Sequence, residues 1–207
     1  MGESWTQWVA EKSPLGNVYP PFLIDISPMR IVPKEVRGNV LVIGQAGAFP
    51  EKTLIATPES RFGKLRPGVN AIYCCDTIYP SSPEAHLDIP CVNTICLDEI
   101  PDPETGTAYW ELSSSYTFLR KVPPDFFDVV LMFRVVDTGT QIEELGLTRE
   151  IASHLKKSGL FIGSGGRLPE VVPRGFYSPL ELVRSVRLTD FSGGYPFTRH
   201  TGFVLRR

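Results

Sequence analysis

Five short apolar runs, each followed by a glycine or a charged residue, set the pattern of the chain. Val40-Leu41-Val42-Ile43 ends at Gly44, Ala71-Ile72-Tyr73-Cys74-Cys75 at Asp76, and Cys91-Val92-Asn93-Thr94-Ile95-Cys96-Leu97 at Asp98. Phe127-Asp128-Val129-Val130-Leu131-Met132-Phe133 is the strongest, and Leu160-Phe161-Ile162 is short and bounded by glycines. Runs of this length without polar alternation mark strands covered on both faces, which is the habit of parallel sheets. Between the fourth and fifth runs, Ile142, Leu145, Ile151 and Leu155 recur near helical spacing. Glu143, Glu144, Arg149, Lys156 and Lys157 take the polar side, which predicts a helix with its basic pair in the last turn and Gly159 closing it. Further helices are predicted over 111–121 and after Pro179.

The two ends differ from this pattern. Residues 186–191 alternate, Ser192-Gly193-Gly194-Tyr195-Pro196 turns the chain, and residues 198–206 alternate again, which predicts an antiparallel pair. Residues 1–38 are broken by Pro14, Pro20, Pro21, Pro28 and Pro33. They read as a proline-rich extension docked on a single α/β domain at 39–207.

Composition narrows the class. Of 207 residues, 42% are hydrophobic and 21% charged, ordinary values for a globular chain and too apolar for wholesale disorder. The net charge of −2 supplies no global basic field, so general nucleic-acid binding is not expected. No run approaches the 18 apolar residues of a membrane span, and the first ten residues lack the cationic start and apolar stretch of a secretory signal. Met1-Gly2-Glu3-Ser4-Trp5-Thr6 meets the bare myristoylation pattern, but no basic cluster follows to give a second anchor. Cys74, Cys75, Cys91 and Cys96 do not have zinc-site spacing; they read as buried thiols in a reducing compartment, and a cytoplasmic location is expected. No metal site is expected.

In open parallel sheets, ligands bind beyond the carboxyl ends of the strands, so the residues after each run are the candidates. Gly44-Gln45-Ala46-Gly47-Ala48 offers a tight turn and close backbone approach, without the Gly-Lys-Ser/Thr of a phosphate loop. A carboxylate at Asp76 can accept hydrogen bonds from a ribose diol; a turn or helix cap is its commoner use. Asp98 poses the same choice between an adenine contact and a strand end. Asp137 is a candidate base or acceptor-orienting group and Arg134 a candidate anion holder, each weighed against a solvated surface role. His86, His154 and His200 have no partners visible in sequence, and Gly163-Ser164-Gly165 lacks the nucleophile elbow of a Ser-His-Asp site.

Taken in order, these features resemble the class I S-adenosylmethionine-dependent methyltransferases over residues 39–207. Val40-Leu41-Val42-Ile43-Gly44-Gln45-Ala46-Gly47-Ala48 is similar to that family's first motif. Asn70-Ala71-Ile72-Tyr73-Cys74-Cys75-Asp76 resembles its second strand with the ribose-binding acid. Leu97-Asp98 stands where the family has an acid near adenine. Phe127-Asp128-Val129-Val130-Leu131 resembles its fourth strand. Leu155-Lys156-Lys157-Ser158-Gly159-Leu160-Phe161-Ile162 resembles the turn into its fifth.

The resemblance implies a three-layer Rossmann-like α/β fold. Its sheet would be mostly parallel and seven-stranded, in the order 3-2-1-4-5-7-6, with an antiparallel C-terminal hairpin. It implies S-adenosylmethionine as cofactor, held by Gly44, Gln45, Ala46, Gly47, Asp76, Thr77, Asp98, Glu99 and Phe133, with Asp137 and Arg134 as catalytic candidates. The acceptor would be a small molecule or a protein, and a protein partner or homodimer stays open. The sequence departs from the family at Val42, where an acid is usual, and at Ala46 and Ala48, where glycines are usual. Those departures motivate the alternative of a catalytically inactive, methyltransferase-like binding or scaffold subunit. A nicotinamide-dependent oxidoreductase fits less well, because the glycine loop differs and Tyr-x-x-x-Lys is missing.

Overall fold

The computed structural model describes residues 36–44, 65–76, 91–93, 107–138, 146–167, 177–192 and 195–207. The expected extension at 1–38 lies almost wholly outside the described residues. Among the described residues, eight strands form one sheet: β1 (Gly38–Ile43), β2 (Val69–Asp76), β3 (Cys91–Asn93), β4 (Thr107–Leu112), β5 (Phe127–Thr138), β6 (Leu155–Arg167), β7 (Glu181–Ser192) and β8 (Tyr195–Arg206). Their order across the sheet is β3-β4-β2-β1-β5-β6-β8-β7. The pairs from β3 to β6 are parallel; β8 runs antiparallel to both β6 and β7. This is the expected mostly parallel Rossmann-like sheet with an antiparallel C-terminal pair.

Burial explains why the runs form strands. Val40, Leu41 and Val42 are wholly buried, and so are Ala71, Ile72, Cys74 and Cys75. Alternation sends Leu41, Ile43, Tyr73, Cys75, Val130 and Met132 into one core and Val40, Val42, Ile72, Cys74, Val129 and Leu131 into another. A core on each face is what a three-layer architecture requires. Cys74 and Cys75 are buried thiols, outside any disulfide among the described residues, and lie in different cores. Full burial of each large apolar side chain contributes about 1.5–3 kcal/mol before entropy is counted.

Two described helices pack on the first core. α1 (Ser115–Leu119) starts at Ser114, whose Oγ accepts a hydrogen bond from the Thr117 amide at 3.2 Å, and buries Phe118 and Leu119. α2 (Leu147–His154) buries Leu147, Ile151 and Ala152. Among the described residues, no helix is long and apolar enough to cross a membrane.

Several expectations need correction. Cys91–Asn93 does not lie beside β2. β4 takes that place and β3 pairs outside it. β4 wins because it matches six residues of β2, stacks Tyr109 on Tyr73 with ring centroids 5.1 Å apart, and buries Trp110 completely. The sheet therefore has an eighth strand, and the helix expected over 111–121 shrinks to α1.

The helix before the fifth run ends at His154, because Leu155 is already extended at φ −74° and ψ 140°. Lys156 belongs to β6, where it pairs with Asp128. The left-handed residue nearby is Ser158 at φ 65°, not Gly159. After Pro179 the chain enters β7 and not a helix, since Glu181–Ser192 alternates and pairs along β8.

Candidate functional site

The register of the parallel strands fixes which residues share the carboxyl edge. Ile43 is level with Cys75 on β2 and with Met132 on β5. One step further along each strand come Gly44, Asp76 and Phe133. Asp76 is in turn level with Leu112 on β4, and Phe133 with Ser164 on β6. Strands lie about 4.8 Å apart, so Asp76, Gly44 and Phe133 span about 10 Å of that edge.

Gly44 is where β1 leaves the sheet. Its φ is 71°, and its amide donates a 2.9 Å hydrogen bond to the Cys75 carbonyl. Left-handed backbone costs an L-residue with a Cβ roughly 1–2 kcal/mol, so glycine suits this bend. The expected tight turn after the first strand thus begins in the conformation that only glycine adopts freely. Gln45, Ala46, Gly47, Thr77, Asp98 and Glu99 lie outside the described residues.

Asp76 closes β2 and Phe133 sits within β5. Arg134 and Asp137 also belong to β5. The pairing with β6 passes from Phe133↔Ser164 directly to Val136↔Gly165, so Arg134 and Val135 form a bulge. Bulges bend a strand and recur beside active sites. Asp137 follows the bulge, beyond the row of Gly44 and Phe133. His154 is elsewhere: its ring nitrogen lies 3.3 Å from the Pro123 carbonyl at the opposite, amino end of the sheet.

Sequence reasoning missed Ser113. Because β4 and not β3 flanks β2, the residue that follows this strand at the carboxyl edge is Ser113, where Asp98 was expected. Among the described residues its buried Oγ has no hydrogen-bond partner. A buried hydroxyl without a partner is unfavourable unless something else completes it. No motif marks Ser113; recognising Thr107–Leu112 as a strand would have found it.

Val42, at the position where an acid was expected by resemblance, is wholly buried among Val40, Ile72 and Leu131. It contributes core packing.

No protein-family model and no curated protein matches the sequence. Solved structures do match in shape. An S-adenosylmethionine-dependent methyltransferase from Leishmania major superposes with a TM-score of 0.50 at 10% identity, covering 86% of this chain and 68% of that one. A protein from Streptococcus mutans assigned as an S-adenosylmethionine-dependent methyltransferase gives 0.51 at 10% identity, covering 82% of this chain and 44% of that one. A further methyltransferase-assigned structure, complexed with S-adenosylhomocysteine, gives 0.50 at 10% identity, covering 82% and 45%. This chain spans less than half the length of the latter two. At such identities the likeness is one of fold: the chain has the Rossmann-like fold of the class I S-adenosylmethionine-dependent methyltransferases.

Proposed function

We propose that the protein is an S-adenosylmethionine-dependent methyltransferase. The observation that carries this reading is the row of Gly44, Asp76 and Phe133 at one carboxyl edge, with Gly44 in a left-handed bend. An adenosyl group needs such a crevice, with close backbone approach on one side and a hydroxyl-binding acid on the other. Gly44, Gln45, Ala46 and Gly47 would hold the methionine end, Asp76 and Thr77 the ribose, and Ser113 the base, joined by Asp98 and Glu99 if their loop reaches it. Since Val42 is buried, the amino group of the methionine moiety would be met by another residue.

The bound cofactor would supply an electrophilic sulfonium methyl. The chain's own task is then to bring a nucleophile into line with it and to exclude water. Orientation alone lowers such barriers by up to roughly 7–11 kcal/mol. Arg134 and Asp137 follow Phe133 on β5; in this reading Asp137 would orient or deprotonate the acceptor and Arg134 would neutralise its charge.

Titration calorimetry with S-adenosylhomocysteine tests the reading. Binding by the full chain, weakened at least tenfold in Asp76→Ala, is the expected outcome, a tenfold change being about 1.4 kcal/mol. No heat at millimolar ligand would reject it in favour of a non-catalytic binding subunit.

A further inference from the structure

β4 and α1 make a closed turn at the carboxyl edge. Glu111 is level with Cys75 on β2, and Leu112, the last residue of the strand, with Asp76. Ser113 follows, its amide donating to the Glu111 carbonyl at 3.1 Å. Ser114 then caps α1, and its carbonyl accepts from the Phe118 amide at 2.9 Å. α1 turns the chain back, burying Phe118, Leu119 and Val122 in the same core as Tyr109 of β4. Lys121, whose amide donates to the Phe118 carbonyl at 3.0 Å, thereby meets the strand the chain has just left. Its Nζ lies 2.7 Å from Glu111 Oε1, so the ion pair closes residues 111–121 into a loop that carries Leu112 and Ser113.

Stability alone does not account for charges in this place. Desolvating two buried charges offsets most of their attraction, and apolar residues of similar volume stabilise as well or better. What the charges add is direction: a charge-assisted hydrogen bond holds one distance and one orientation. The loop has few other means of keeping its shape, since a five-residue helix is too short to persist by itself.

The direction matters because of what the loop presents. Leu112 is an exposed apolar side chain level with Asp76. Ser113 has a buried Oγ that lacks a hydrogen-bond partner among the described residues. An apolar surface next to an uncompleted hydroxyl complements a planar heterocycle, which is apolar on its faces and polar at its rim. A hydroxyl finds its partner only within about 3 Å, so a loop free to shift by an ångström or so would forfeit the contact.

We propose that the Glu111–Lys121 ion pair is a positioning device for the ligand's base, holding Leu112 and Ser113 so that the Ser113 hydroxyl meets the rim of a bound nucleobase. The pair acts through Ser113 and not on the ligand. That the ligand is a nucleoside rests on the methyltransferase reading; the closure of the loop does not.

Calorimetry with S-adenosylhomocysteine on the full chain, with melting temperatures measured alongside, tests the proposal. Glu111→Gln combined with Lys121→Met removes both charges; it should melt close to wild type and bind about fivefold more weakly, most of the worth of one hydrogen bond. Glu111→Gln alone keeps an acceptor for Lys121 and should bind with intermediate affinity. Ser113→Ala should weaken the wild-type protein about five- to tenfold but the double variant by no more than about twofold, because groups in one network do not act additively. Lys156→Met breaks the ion pair with Asp128 at the amino end of the sheet. It should lower the melting temperature and leave affinity unchanged.

Wild-type affinity in the double variant, or an undiminished effect of Ser113→Ala within it, overturns the proposal. So does an equal loss of affinity in Lys156→Met, which would mark the effect as general loosening. Absence of binding by the wild-type chain rejects the methyltransferase reading instead, and amide exchange then decides the closure by itself. Faster exchange at Ser113 and Thr117 in the double variant, with the β2 amides unchanged, upholds it; wild-type rates at both overturn it.

Discussion

Asp128 occupies the space that a side chain on Gly38 would need: a Cβ there would lie 2.8 Å from Asp128 Cβ and collide with the carboxylate. Gly38 has φ 71°, so its missing Cβ serves both the backbone and the packing. The carboxylate that fills the gap joins three strands. Asp128 Oδ2 accepts hydrogen bonds from the Asn39 amide of β1 at 2.9 Å and from Lys156 Nζ of β6 at 2.7 Å. Asn39 extends the join to β2, its Oδ1 accepting from Asn70 Nδ2 at 2.8 Å.

This network holds the amino ends of the strands whose carboxyl ends carry the site. Asp128→Ala should destabilise the fold by about 2–3 kcal/mol, since it strands the buried Asn39 amide. Gly38→Ala should cost at least as much, about 1–2 kcal/mol of it from the backbone alone. Urea unfolding followed by tryptophan fluorescence, with Trp110 wholly buried, reads both. Wild-type midpoints in both variants would refute the role given to the pair.

A second ion pair supports α1 over β4. Lys121 Nζ lies 2.7 Å from Glu111 Oε1, with the side chains 18% and 4% exposed. Removing one partner of so enclosed a pair leaves a charge without compensation, so Lys121→Met should cost about 3 kcal/mol. The double variant Glu111→Gln with Lys121→Met should recover most of that loss. A double-mutant cycle in urea measures the coupling, expected at about 1–3 kcal/mol. Strict additivity would show that the pair stabilises nothing.

The same two ion pairs explain what the sequence left hidden. β1, β2 and β5 were legible because burial on both faces requires unbroken apolar runs, and Val40-Leu41-Val42-Ile43 has no other sensible place. Gly44 and Asp76 were legible in turn, being the residues after those runs. β4 was not, because Glu111 interrupts it and looks like a helix start. The contact with Lys121, ten positions on, makes a buried glutamate tolerable in a strand. Lys156 misled in the same way: its helical spacing suggested an exposed last turn, whereas its partner Asp128 is 28 residues away. With β4 unseen, Ser113 could not be placed and Asp98 was assigned its position.

Tyr177 gives the fold an alkaline limit. It is buried against Phe203, with ring centroids 5.6 Å apart, and burial pushes its phenol from 10.0 up to about 12. The folded state thus keeps a proton that the unfolded chain releases near pH 10. Below pH 10 both states hold it, and its contribution is fully present. Between pH 10 and 12 stability falls by up to about 1.4 kcal/mol per unit. Tyr177→Phe should remove that share of the slope. Urea midpoints at pH 9.5 and 11.5 compare the two proteins, and parallel declines would dismiss the assignment.

Ser113 separates stability from ligand binding. Its buried Oγ lacks a partner among the described residues, while its amide donates to the Glu111 carbonyl at 3.1 Å. Ser113→Ala keeps the backbone bond and removes only the unsatisfied hydroxyl. The ligand-free protein should therefore gain about 0.5–1 kcal/mol. If the hydroxyl is completed by the base of a bound nucleoside, the same variant should bind S-adenosylhomocysteine about five- to tenfold more weakly, the worth of one hydrogen bond. Opposite signs in the two measurements, thermal melting without ligand and calorimetry with it, are the distinguishing result. A hydroxyl that only packs would leave binding unchanged, and one with a hidden partner would make the variant melt lower.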